Sequence, residues 1–297
     1  MNKKSFFTIL ILLVAQCCLL AQVVDIPDAN FKNALLNTLC VDTDGDDIGD
    51  ADADINDDGE IQVSEAEAVK WLRVGINLQS LVGIEYFQKL ESLECDFNQL
   101  TVLNLQGLNN LRYLNCDFNK LTTLNVQGLT NLRYLNCDNN QLVTLDIQGL
   151  NNLEHLRCIN NQLMTLDIQG LSNLKEFYCS NNQLSSLNTQ GLSSLIRFYC
   201  SKNHLTALDV HNLNNLTDLI CDENQVTTLD VQGLNNLKSL LCSKNNLTSL
   251  NIQGLSSLKK LNCDYNQLIN LEMQGLGNLK EIYCSMRFPP FFDQKTT

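Results

Sequence analysis

The chain has 297 residues and a formal net charge of −13, with 20 Lys and Arg against 33 Asp and Glu. Leucine (56) and asparagine (39) fill about a third of it, beside 3 Pro, 3 His and 1 Trp, a bias that marks a repeated unit and not one irregular core. An acidic chain without a Lys or Arg cluster has little with which to neutralise phosphates, which argues against a nucleic-acid partner.

In chain order, residues 1–21 have the form of an export signal. Lys3 and Lys4 precede an apolar run from Phe6 to Leu20, and Ala21 offers a small residue at a cut before Gln22. Lipid attachment through Cys17 or Cys18 is the weaker reading, because Gln16 and Cys17 stand where a small residue is wanted. The run is about 15 residues against the roughly 20 that span a bilayer, and no second such run follows. The expectation is an exported chain with no membrane span.

Residues 22–68 carry the charge. Between Asp25 and Glu67 stand 14 acidic residues and one basic one, Lys32, while the rest of the chain nearly cancels. Asp28 is placed to cap a helix with Phe31, Leu35 and Leu39 on one face. From Asp54 to Glu65 the spacing D-x-N-x-D-G-E-x-Q-x-x-E resembles the twelve-residue calcium loop of the EF-hand. The resemblance implies that Asp54, Asn56 and Asp58 ligate Ca²⁺, with Glu60 through its carbonyl, Gln62 directly or through water, and Glu65 in bidentate fashion. Gly59 takes the sharp turn and Ile61 packs inward. Glu65 to Leu72 then reads as an exit helix. Upstream, Asp42, Asp44, Gly45 and Asp46, with Asp50, resemble the D-x-D-G-D calcium loops of thrombospondin type 3 repeats. Ca²⁺ is expected here as a structural ion that removes the repulsion among these groups; a solvated acidic turn is the alternative.

From residue 69 a 21-residue period takes over. Cys95, Cys116, Cys137, Cys158, Cys179, Cys200, Cys221, Cys242, Cys263 and Cys284 keep that spacing throughout, and Asn follows three residues later from Asn98 to Asn266. The unit reads L-x-x-L-x-C-x-x-N-x-L-x-x-L-x-x-Q-G-L-x-x. A leading copy occupies 69–89, with Val69, Leu72, Val74 and Asn77 in register; nine full copies occupy 90–278. Residues 279–297 hold a partial tenth copy and a divergent tail, with Arg287 where Asn is due and then Phe288-Pro289-Pro290-Phe291-Phe292. The tail reads as a truncated or frame-shifted end, or else as an unusual hydrophobic cap.

This pattern resembles the leucine-rich repeat, and among such proteins the secreted, internalin-like bacterial class with 21-residue, Cys-containing repeats. The resemblance implies a leucine-rich repeat solenoid on the outer surface of a bacterium or secreted from it, with a parallel β-sheet on its concave face and a small α-helical calcium-loop cap at its N-terminus. Leu93 and Cys95 alternate with polar neighbours, the period of a strand. A strand of that kind buries its face only when copies stack. Twenty-one residues leave little room for a return helix, so the convex side, as at Leu103 and Leu105, is expected to be extended or 3-10.

Three columns read as scaffold. The Asn column should turn inward and satisfy backbone groups at the strand exit. The Gly column, with Asn212 as its exception, should hold a positive φ. Equivalent Cys residues on neighbouring strands lie about 4.8 Å apart, whereas a disulfide wants Cβ atoms at about 3.8 Å; buried free thiols are expected.

The positions between these columns vary from copy to copy. Tyr113, Tyr134, His155, Arg157, Tyr178, Arg197 and Tyr199, with Phe97 and Phe118 near the strand exit, form the candidate ligand surface, a composition enriched at binding hot spots. No catalytic constellation accompanies it: His155, His204 and His211 fall in repeat positions outside any nucleophile or metal motif. The expectation is a monomeric binding module, not an enzyme, that recognises a protein partner through its concave sheet. Glycan or cell-wall binding by the same Tyr-rich face, or a passive stalk, are the alternatives.

Overall fold

The computed structural model describes residues 22–285 apart from Asp47 and Ile76. The expected export signal at 1–21 and the divergent tail from Met286 lie outside the described residues. The chain divides into two units, Met1–Asn140 and Gln141–Thr297.

The first unit begins with α1 (Ala29–Asn37), which Asp28 caps as its spacing predicts: one carboxylate oxygen accepts from the amides of Asn30 and Phe31 at 2.9 and 3.1 Å. Phe31, Ala34 and Leu35 are its buried residues. Leu39, expected on the same face, lies beyond the helix and is 68% exposed. Thr38 ends the helix by turning to an extended conformation while its hydroxyl donates to the Ala34 carbonyl at 2.7 Å. The second helix also departs from expectation. Instead of running from Glu65 to Leu72, α2 covers only Val63–Ala66. Trp71 and Leu72 belong to a strand, where pairing with the next copy buries both.

Four strands follow in the first unit: β1 (Trp71–Arg73), β2 (Ser92–Glu94), β3 (Tyr113–Asn115) and β4 (Tyr134–Asn136). They pair in parallel at the 21-residue register, Leu72 to Leu93 to Leu114 to Leu135. The second unit holds β5 (His155–Arg157), β6 (Glu176–Tyr178), β7 (Arg197–Tyr199), β8 (Asp218–Ile220), β9 (Ser239–Leu241), β10 (Lys260–Asn262) and β11 (Glu281–Tyr283). These too pair in parallel at the same register. Each strand is three residues long, so little of the fold's stability lies in any one ladder. It comes from stacking, and each fully buried Leu contributes about 1.5–3 kcal/mol relative to exposure. The return segments are extended and broken by turns; among the described residues the 3-10 conformation occurs at Ile84–Tyr86 in the leading copy.

The scaffold columns behave as their chemistry requires. Asn182 is typical: its Nδ2 donates to the carbonyls of Cys158 and Cys179 at 2.8 and 3.1 Å, and its Oδ1 accepts from the Leu163 amide at 3.0 Å. Asn77 in the leading copy does not join this column. It is exposed with φ 66°, and its carbonyl accepts from the Asn30 side chain. Asn212, standing where the other copies have Gly, adopts φ 66°. The Cys column is buried from Cys95 to Cys263, and Val74 fills the equivalent place in the leading copy. Burial raises these thiols far above their ordinary value. In the second unit Phe177 and Phe198 replace Leu in the core and stack at 5.3 Å.

A further column was not foreseen. Two residues after each Cys from Cys95 to Cys263 the backbone is left-handed, from Phe97 (φ 54°) and Phe118 (φ 47°) through Asn139, Asn160 and Asn181 to Tyr265 (φ 54°).

Candidate functional site

The acidic segment contains two loops. In the 54–65 loop, Asp54 accepts from the amides of Asp58 (3.2 Å) and Gly59 (2.8 Å), and Asn56 accepts from Asp58 at 2.9 Å. Asp58 accepts from the Glu60 amide and from the Gln62 side chain. Glu65 receives the amides of Asn56 and Gln62 on its two oxygens, at 3.2 and 2.9 Å. Gly59 makes the turn at φ 83°, and Ile61 is buried. The Glu60 carboxylate is engaged by Lys32 at 2.6 Å. The Asp58 carboxyl is held below its ordinary value, first by the Gln62 side chain and then by the Glu60 amide.

The upstream loop is drawn together more tightly. Among the described residues, Asp42, Asp44 and Asp50 form the one set of three His, Cys or carboxylate groups whose ligand atoms lie within 4.8 Å of one another. Asp46 stands outside this set; its carboxylate caps the Ile48 amide at 2.9 Å. The Asp46 amide would lower the Asp44 carboxyl, but repulsion from Asp46, Asp50 and Asp42 outweighs it, and the group is raised. Both loops offer the hard oxygen donors that Ca²⁺ takes.

The ligand-surface residues fall into two groups, one in each unit. In the first, Tyr113 and Tyr134 stack face to face, with centroids 4.3 Å apart, and Phe97 and Phe118 stack at 4.5 Å. The phenylalanines are 62% and 46% exposed. A cleft of about 700 Å³ opens beside this face, with Asp42, Asp44, Lys70, Trp71, Glu94 and Tyr113 among its walls.

In the second unit the face centres on Glu176, which the column His155, Glu176, Arg197 places between two basic neighbours. His155 Nδ1 lies 3.2 Å from one carboxylate oxygen, which also accepts from the Tyr178 hydroxyl at 3.1 Å; Arg197 engages the other. The Arg157 guanidinium lies 5.0 Å above the Tyr178 ring, and Tyr178 meets Tyr199 edge-on at 4.7 Å. Burial would raise the Glu176 carboxyl, but hydrogen bonds from His155 and Tyr178 and the charge of Arg197 hold it below its ordinary value. Sequence reasoning chose the basic and aromatic members and missed this carboxylate. Its signal was present, since a basic–acidic–basic order at 21-residue spacing becomes a row of neighbours once the strands pair.

No protein-family model matches the chain, and no curated protein does. Among solved structures, the functional domain of InlJ from Listeria monocytogenes, which includes a cysteine ladder, is 29% identical with a TM-score of 0.67. That match covers 86% of this chain and 59% of the other. A leucine-rich repeat protein of Leptospira interrogans is 27% identical, with a TM-score of 0.56 over 68% of this chain and 62% of that one. YopM, a leucine-rich effector protein from Yersinia pestis, is 32% identical, with a TM-score of 0.59 over 66% of this chain and 54% of that one. The chain thus spans about three fifths of the length of the first two and about half of the third. Among the described residues no helix is long and apolar enough to cross a membrane. The 21-residue register and these likenesses give the chain a leucine-rich repeat fold with a buried column of cysteines.

Proposed function

We propose that this chain is a protein-recognition module that works through the outward positions of its strands, which are half-buried for the most part, with Tyr178 buried, and that it is steadied by structural Ca²⁺ in its acidic segment. The observation that carries the reading is the contrast between columns. Leu, Cys, Asn and Gly recur because packing and backbone geometry demand them, whereas the outward strand positions vary among the copies and gather stacked aromatics and the Glu176 network. Clustered Tyr and Arg are the residues that most often dominate binding energy. Similarity to the functional domain of InlJ and to a leucine-rich effector protein supports the same reading.

The test is photo-crosslinking from residues introduced at Tyr113, Tyr134, Tyr178 and Tyr199, with Gln127 and Gln169 on the return segments as controls. Protein adducts at the tyrosines and none at the glutamines are expected. The paired changes Tyr113→Ala with Tyr134→Ala, and Tyr178→Ala with Tyr199→Ala, should remove partner capture. Capture that survives both would leave the repeats a passive stalk, and competition by free sugars would make the ligand a glycan.

Ca²⁺ would be held by Asp54, Asn56, Asp58, Gln62, Glu65 and the Glu60 carbonyl in one loop, and by Asp42, Asp44 and Asp50 in the other. Its chemistry there is charge neutralisation, since 14 acidic groups between residues 25 and 67 otherwise repel one another. Export directed by residues 1–21 belongs to the same reading, and amino-terminal sequencing of the mature protein should begin at Gln22.

A further inference from the structure

In both units the residue before a strand bonds through its backbone to the equivalent residue of the preceding copy, so these residues form a row. At the end of the second unit the row runs Thr217, Lys238, Lys259, Lys280. The Lys238 amide donates to the Thr217 carbonyl at 2.7 Å, Lys259 to Lys238 at 2.8 Å and Lys280 to Lys259 at 2.8 Å. Three lysines remote in sequence thereby become a ladder with a rung about every 4.8 Å. All three are exposed. Among the described residues none of them has an ion pair or a side-chain hydrogen bond. The chain's overall acidity hides this ladder, because residues 21 apart form no cluster in the sequence.

The scaffold does not ask for lysine here. Like charges side by side on paired strands oppose each other, and Ile196 and Thr217 hold the row in the two preceding copies. Earlier in the chain the same row sets acid beside base: Glu91 lies 3.8 Å from Lys70 and 3.2 Å from Arg112, and Glu154 holds Lys175 at 2.5 Å. The carboxylates at the adjoining strand position are engaged elsewhere. Glu281 meets Lys260 at 3.1 Å, and Asp218 accepts from the Thr217 hydroxyl at 2.6 Å.

We propose that the ladder docks an acidic polypeptide segment in extended form, whose Asp or Glu carboxylates meet Lys238, Lys259 and Lys280. Alternate side chains of an extended segment stand about 6.8 Å apart, and the flexible four-carbon lysine stem absorbs the difference from the rung spacing. Two neighbours favour a polypeptide over a phosphate polymer. Asn236 and Asn278, two residues before Lys238 and Lys280, each donate a side-chain N–H to the preceding copy at 2.8 Å. Both are exposed, so their side-chain oxygens stand ready to accept from backbone N–H groups. A phosphodiester backbone has no such donor. The row also carries lysine where bidentate phosphate recognition would use arginine, and Ile196 and Thr217 beside it give bases no ring to stack on. Tyr113, Tyr134, Tyr178 and Tyr199 do not belong to the row, so this surface and the aromatic one stand or fall separately.

The experiment measures fluorescence anisotropy of labelled octa-glutamate with the full chain. Octa-glutamate should bind at low ionic strength, with affinity falling as salt rises, and octathymidylate should bind more weakly. Lys238→Gln with Lys259→Gln and Lys280→Gln should weaken binding roughly tenfold, the loss that three exposed charge pairs imply. Lys238→Arg with Lys259→Arg and Lys280→Arg, which keeps the charge, should retain it. Lys89→Gln with Lys120→Gln and Lys202→Gln removes the same charge from exposed sites outside the row, and should leave the affinity within about twofold. Carbodiimide coupling of octa-glutamate to the unaltered chain should join its carboxylates to Lys238, Lys259 and Lys280, which decides the matter even where a variant folds poorly. Binding that survives loss of the three lysines, falls equally in the control, or does not occur overturns the proposal, as does coupling spread evenly over the lysines of the chain. Octathymidylate bound as tightly as octa-glutamate would replace the acidic polypeptide by a phosphate polyanion.

Discussion

Asn182 shows why an amide recurs every 21 residues. Its two ends close the backbone accounts of two successive turns, donating to two buried carbonyls and accepting from a buried amide. Aspartate lacks the donor and leucine lacks both groups. Replacing Asn182 by Ala orphans those partners, and each unsatisfied buried group costs about 1–3 kcal/mol. Denaturant titration of N182A should therefore show a loss of about 3 kcal/mol or more; a loss under about 0.5 kcal/mol, the range of ordinary surface changes, would contradict the assignment. Glu176 makes a prediction of a different kind. Its folded carboxyl is depressed, so its contribution is complete above the unfolded value and is lost as pH falls through the folded one. Stability against pH should accordingly fall less steeply below the ordinary carboxylate range in Glu176→Gln than in the parent. Parallel acid limbs would remove Glu176 as the hub of its network.

At the scale of elements, Asp28 joins two pieces of structure with one carboxylate. One oxygen caps α1, while the other accepts from the amides of Gln79 and Ser80 at 2.7 and 2.9 Å, tying the helix to the leading copy. Burial would raise this carboxyl, yet the four amide bonds together lower it. Asp28→Ala should cost about 2 kcal/mol, the upper end for a helix cap, and hydrogen exchange should quicken in Ala29–Asn37 and at Gln79 and Ser80 together. Exchange confined to the helix would show that the second pair of bonds carries nothing. The short α2 teaches the converse lesson. Helical propensity from Glu65 to Leu72 is real, but pairing Leu72 with Leu93 buries it completely, and that gain overrides local preference.

For the whole molecule, the net charge of −13 belongs to the acidic segment, and so does the expected dependence on calcium. Chelation should lower the melting temperature and loosen exchange protection within residues 22–140. An ion held at a hundred times its dissociation constant stabilises by about 2.7 kcal/mol. Asp54→Ala or Glu65→Ala should remove the shift that belongs to the 54–65 loop, and Asp42→Ala or Asp50→Ala that of the upstream loop. A melting curve indifferent to chelator and to all four changes would reject both sites.

What was legible beforehand followed from local chemistry repeated in phase. The parallel register, the inward Asn column, the left-handed Asn212 and the buried Cys column each answer a constraint that one 21-residue copy already contains, so nine copies state it nine times. The Asp28 cap and the left-handed Gly59 turn were legible for the same reason. What the tertiary structure decided depends on neighbours 21 residues apart or more. The bonds of Asp28 to Gln79 and Ser80 and the strand conformation of Trp71 arise only when separate segments meet. So do the ring stacks and the Glu176 hub, because strand pairing turns residues remote in sequence into neighbours about 4.8 Å apart. A periodic sequence fixes its own scaffold through short-range geometry; its outward face acquires chemistry only when the copies are laid side by side.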